Sequence, residues 1–155
     1  MIRLACPDDT PAFLSIAKEA NGFEPEELDV FRNTLSDYFA GKSSAFWVTD
    51  DDEGMVVGVA YCEPERMARG TWNLLFIAIH PDLQGCGRGT ALIRAVEEIA
   101  TERGARLLLV ETSGTPDFDR TRTFYRKCQY EEEARIREFY AAGDDKIVFR
   151  KLLRS

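Results

Sequence analysis

Between an apolar run at residues 74–79 (LLFIAI) and an amphipathic stretch beginning near residue 88, the chain carries HPDLQGCGRG. A six-residue apolar run bounded by turn residues reads as a buried strand. Leu92, Ala95, Val96 and Ile99 read as one helical stripe over residues 88–103, with Gly104 as its stop. The glycines thus form a strand-to-helix turn. Such a turn presents backbone N–H groups that have no intrahelical acceptor, and the helix dipole adds about half a positive charge there. Together they suit an anion such as phosphate, and the absent side chains let the backbone approach it closely. A tight connection that holds no ligand is the competing reading of the glycines alone.

The remaining pattern places this turn in a mixed domain. IRLA reads as a short first strand. Thr10 as N-cap with Pro11 at the first position opens a helix whose inner face is Phe13, Ile16, Ala17 and Ala20, and Gly22 ends it. Pro25 opens a second helix with Leu28, Phe31, Leu35 and Phe39 inward and Gly41 beyond its end. AFWVTD and MVVGVAYC are joined by the hairpin signal DDEG, and TWNLLFIAI follows the polar link EPERMARG. After the glycine turn and its helix, RLLLVET is apolar enough to be covered on both faces. A short helix over 121–127 and two strands, EEEARIREFY and DKIVFRKLL, close the chain. The order β-α-α-β-β-β-α-β-α-β-β predicts an α/β or α+β fold, with a mixed, mostly antiparallel sheet flanked by helices. A length of 155 residues suits one domain spanning 1–155.

Composition excludes several functions. The net charge is −7 with no basic stripe, which argues against nucleic-acid binding and fits a cationic partner such as an amine. No apolar run approaches the roughly 18 residues of a membrane span, and the acidic start MIRLACPDDT lacks a signal-peptide core. A cytoplasmic protein is expected. Four scattered cysteines without CxxC spacing and a single histidine give no support to a metal site or a disulfide framework.

Two phosphate loops fail on inspection. A P-loop needs a lysine after its glycines, and none follows here. A dinucleotide fingerprint needs a third glycine where Leu92 stands. A nucleotide-binding function loses its basis with them. Gln84-Gly85-Cys86-Gly87-Arg88-Gly89 instead matches Q/R-x-x-G-x-G/A, preceded by FIAIHPDLQ. With FYRKCQY in place of FYEKLGF and the same element order, the sequence resembles the GNAT superfamily of N-acetyltransferases over most of its length.

That resemblance implies an acetyl-CoA-dependent N-acetyltransferase acting on a small-molecule or peptide amine, without a metal, with a homodimer as one admissible state. It implies that backbone groups of Ile77 and Ile79 pair with the pantetheine arm, with Ala78 between them. Backbone N–H groups of Gly85, Gly87, Arg88 and Gly89 would hold the pyrophosphate. Gln84 would shape the loop, with Cys86 and Thr90 completing the stretch. The Arg88 side chain either adds charge or is a solvated first-turn arginine. Two departures stand out. Phe118 occupies the place of a pantetheine-binding Asn, leaving Ser113 or Thr115 as substitutes. Asn73 occupies the place of the glutamate base of the histone-type branch. A catalytically degenerate acyl-CoA-binding or sensing module is therefore the alternative.

The chemistry sets what else is needed. An alkylamine with a pKa of about 10.4 must lose a proton, at a cost of about 4.6 kcal/mol at pH 7. A base, a water chain or a desolvated pocket must offset that. Glu111, ending RLLLVE, is the first candidate base, or else a rim carboxylate ordering a loop. Glu63, closing VAYCE, is the second, or else a solvated strand end. Tyr125 fits the family's general acid, or else packs in the core. His80 reads as a turn residue. Asp144 and Asp145, with Phe139 and Tyr140, either hold a cationic amine or form an ordinary acidic turn.

Overall fold

The computed structural model describes residues 1–153. Seven strands form one sheet: β1 (Ile2–Leu4), β2 (Phe46–Asp52), β3 (Met55–Pro64), β4 (Thr71–Ile79), β5 (Leu107–Ser113), β6 (Glu131–Ala141) and β7 (Asp144–Leu152). Their spatial order is β1-β2-β3-β4-β5-β7-β6, and β4 with β5 is the single parallel pair among them. Helices α1 (Thr10–Asn21), α2 (Pro25–Phe39), α3 (Arg88–Glu102) and α4 (Asp119–Lys127) cover the sheet.

Strand alternation splits the core into two. Phe13, Phe31 and Leu35 of α1 and α2 pack on Trp47, Val59 and Tyr61 at one face, called the front here. Leu92, Val96 and Ala100 of α3 and Tyr125 of α4 pack on Val48, Ala60, Cys62 and Phe149 at the back. The element order and the mixed α+β class agree with the sequence reading.

Several local expectations need correction. Thr10 is the first residue of α1, and Asp9 is its N-cap, because a 3-10 turn at Pro7–Asp9 leads into the helix. On α3 the buried set is Leu92, Ile93, Val96 and Ala100, while Ala95 and Ile99 are only half-buried. On β5, Leu108 and Val110 are buried but Leu107 and Leu109 are only half-covered, because α1 and α2 stop short of the front of this strand. Strand β6 is an outer edge exposed along its whole length.

Asp9 ties the N-terminus together. The Arg3 guanidinium grips both of its carboxylate oxygens, each at 2.9 Å, and the Cys6 N–H donates to Oδ2 at 2.8 Å. The Arg3 hydrogen bonds hold the Asp9 carboxyl below the usual range. A lowered folded-state value contributes stability that is complete above about pH 4 and is lost as pH falls through it. Asp9→Asn should cost about 2 kcal/mol at pH 7 and flatten the loss of stability below pH ~4, as urea unfolding at several pH values would show.

Candidate active site

The sheet opens where β4 and β5 part. Their pairing runs from Thr71 with Leu107 to Leu74 with Val110 and stops, while β4 stays paired to β3 up to Ile79 and β5 to β7 up to Ser113. The cause is local. Tyr61 faces Phe76 and Cys62 faces Leu74, so Leu75 is an extra residue that bends β4 away. Beyond it, β4 has a free edge. The His80 N–H donates to the Val57 carbonyl at 2.8 Å, and antiparallel pairs alternate between bonded and non-bonded. Ile77 and Ile79 therefore turn their backbone groups toward the open edge.

The glycine loop lies at the end of that edge. Gln84 Nε2 donates to the Ile79 carbonyl at 3.1 Å, which pins the loop to the strand and leaves the Ile79 N–H as that residue's outward group. Gly85 and Gly87 take φ of 79° and 85°, a left-handed backbone that glycine adopts without strain. Gly87 is the N-cap of α3, so the N–H groups of Arg88, Gly89 and Thr90 lack intrahelical acceptors. A Cβ at Gly89 would lie 3.3 Å from the Phe124 ring, which explains the third glycine as a close approach of α3 to α4. Cys86 is exposed beside the loop.

Arg88 fits neither expectation for its side chain. It is drawn to β2, 2.9 Å from Asp50 and 3.2 Å from Asp52, and anchors the first turn of α3. Its backbone still belongs to the loop.

The candidate proton-transfer groups divide between the front face and the core. Register places Glu63 directly opposite Asn73 on the front face. Tyr61 donates its hydroxyl to Glu63 Oε2 at 2.6 Å, and Asn73 Nδ2 donates to Glu65 at 2.8 Å. Burial pushes the Tyr61 phenol well above its ordinary value, so it stays a donor. Cross-strand neighbours on one face have Cβ atoms about 5 Å apart. Glu63 thus brings a carboxylate to where Asn73 offers only an amide.

Glu111 is on the same face, one residue past the fork, but it is ion-paired with Lys146 at 2.6 Å. Tyr125 is 4% exposed and packs at tilted and edge-on angles among Phe124, Tyr130 and Phe149. Burial, with smaller effects from Cys128 and Tyr140, raises its phenol well above the ordinary value. Tyr140 is exposed at the hairpin, and partial desolvation of its hydroxyl, with Glu111 and Asp144, pushes its phenol up to about 12.

The other expected contacts are taken. Phe118 is exposed at the start of α4. The Ser113 hydroxyl donates to Asp144 at 2.5 Å, accepts from the Thr115 N–H at 3.1 Å and lies 3.0 Å from the Thr115 hydroxyl. Asp145 pairs with Arg135 at 2.6 Å and accepts from the Glu138 N–H, and that N–H above all lowers its carboxyl. Both aspartates therefore serve the hairpin. His80 accepts from the Asp82 N–H at 3.2 Å, as a turn residue does. Sequence reasoning missed Arg122. It is buried, donates to the carbonyls of Ser113 and Thr115 at 2.6 and 2.9 Å, and pairs with Asp119. Its spacing of three from Tyr125 was the available signal for an inward position.

Known proteins share this architecture. The sequence model of the acetyltransferase (GNAT) family matches residues 10–130. A Desulfovibrio desulfuricans protein assigned to the GNAT acetyltransferases is 31% identical, with a TM-score of 0.90 over 99% of this chain and 98% of its own. An aminoglycoside 6'-N-acetyltransferase complexed with coenzyme A is 13% identical, with a TM-score of 0.81 over 100% and 98%. The Escherichia coli ribosomal-protein-S18-alanine N-acetyltransferase is 20% identical, with a TM-score of 0.79 over 100% and 94%. No curated protein matches significantly. The last two likenesses speak to the fold; the family model over most of the chain and the 31% identical relative go further, and they place this chain in the GNAT acetyltransferase family.

Proposed function

We propose that the chain transfers an acetyl group from acetyl-CoA to a primary amine of a small molecule or peptide by direct attack in a ternary complex, as one acetyltransferase unit. The observation that carries this is the free edge of β4, which leads through a short turn at Pro81–Leu83 to the glycine loop at the start of α3. The outward groups of Ile77 and Ile79, with Ala78 between them, pair with the pantetheine amides. N–H groups of Gly85, Cys86, Gly87, Arg88, Gly89 and Thr90 receive the pyrophosphate at the start of α3, held in place by Gln84. Phosphates on these donors are stabilised by charge-assisted hydrogen bonds that outweigh the repulsion of an acidic chain.

The acceptor approaches from the front face. Glu63, oriented by Tyr61, takes the amine proton, and the neutral nitrogen attacks the thioester carbon. Glu111 ranks behind Glu63 because Lys146 already occupies its carboxylate. As the C–S bond breaks, the thiolate takes a proton from Tyr125, whose raised phenol is fully protonated at pH 7. The second proton shed by the nitrogen on forming the amide restores the phenol through solvent, and Glu63 releases its proton to water.

A panel of primary amines with acetyl-CoA, read by thiol release, tests the reading. Turnover of any amine supports it. Acetyl-CoA binding without thiol release across the panel would favour the sensing module. A thiol is already a fair leaving group, so the acid's share is modest. Tyr125→Phe should lower kcat on the order of 10²-fold with acetyl-CoA affinity and Tm nearly unchanged. A lower Tm with unchanged kcat would make Tyr125 a packing residue.

A further inference from the structure

Lys146 is itself a primary amine at the fork. It stands opposite Ser113 in the β5–β7 register, and its side chain is only 13% exposed. Its Nζ lies 2.6 Å from Glu111 Oε2 and 3.7 Å from the centre of the Phe139 ring. Val110 is the last β5 residue paired to β4, and Glu111 is the next. The ammonium is therefore held beside a proton acceptor at the mouth of the opening. The remaining lysines are placed otherwise. Lys18 lies on α1, Lys42 between α2 and β2, Lys127 at the end of α4, and Lys151 is paired with Glu97 at 3.0 Å.

We propose that Lys146 is an internal acetyl acceptor, modified by the chain's own bound acetyl-CoA. This rests on the function proposed above. The ammonium gives one proton to Glu111. The neutral Nζ attacks the thioester carbon, the C–N bond forms and the C–S bond breaks. The second nitrogen proton goes to the departing thiolate, and Glu111 then releases its proton to water. The products are N-acetyl-Lys146, free coenzyme A and one proton. A tethered amine held in place reacts at an effective concentration that free amines do not reach. The acetylated side chain is neutral, so Glu111 loses its counter-ion and the Phe139 ring loses its cation, and the front face becomes more negative.

The full chain incubated with acetyl-CoA and no amine, then digested and weighed lysine by lysine, tests this. The expected result is close to one acetyl group per chain at Lys146. Lys18, Lys42, Lys127 and Lys151 stay unmodified, and the rate per molecule is independent of protein concentration. Lys146→Arg keeps the ion pair and should abolish the label. A folded Gly87→Val chain should lose it as well. Label that persists in Gly87→Val, spreads evenly over the lysines or appears faster at higher protein concentration would overturn the proposal. So would an unmodified Lys146 in a chain that turns over a free amine, which would leave the proposed function standing. Failure to bind acetyl-CoA would remove both.

Discussion

Gly87→Val should abolish measurable coenzyme A binding while the chain stays folded. Gly87 sits at φ 85°, and a Cβ built there meets nothing within 4 Å. The damage therefore comes from backbone strain and not from a clash. A β-branched residue held in this region costs about 1–3 kcal/mol, and the loop relieves it by rotating the flanking peptides. Those peptides carry the N–H groups at the entrance of α3. Losing two hydrogen bonds to phosphate, at about 1.5–3 kcal/mol each, weakens binding by roughly 10²-fold to 10⁴-fold. Gly87→Asn is the matched control. Asparagine tolerates the left-handed region, so it should retain most of the affinity. Calorimetry with coenzyme A reads both variants. Unchanged affinity in a folded Gly87→Val chain would remove the pyrophosphate from this loop.

The loop was legible because glycine spacing is a local signal, and Gly85 and Gly87 do adopt the φ values that only such residues adopt cheaply. Element order was legible for the same reason, since strand and helix periods are read within one segment. What lay hidden depended on register. Whether Glu63 faces Asn73 turns on the extra residue at Leu75, and a slip of one residue sends every side chain to the other face. Ion pairs across long separations were equally out of reach. Arg88 meets Asp50 from 38 residues away, and no local pattern announces it. The half-covered Leu107 and Leu109 misled the reading of β5, because residues that line an open front face have the same composition as residues buried on both sides.

Glu63→Gln should lower kcat/KM at neutral pH by about 10²-fold or more, the usual share of a general base. The reason is geometric. The glutamine is isosteric and its carbonyl can still accept from the Tyr61 hydroxyl, so the Glu63 position stays ordered and only proton uptake is lost. The pH profile separates this from a structural defect. An amine with a pKa near 10.4 becomes neutral by itself as pH rises, so the deficit should shrink toward high pH. Glu111→Gln gives the contrast. It breaks the pair with Lys146 at 2.6 Å, so it should alter the hairpin and acceptor KM more than kcat. A pH-independent loss in Glu63→Gln, with a pH-dependent loss in Glu111→Gln, would reverse the assignment. The base would then lie on β5, and Tyr61 with Glu63 would be a structural pair at the end of β3.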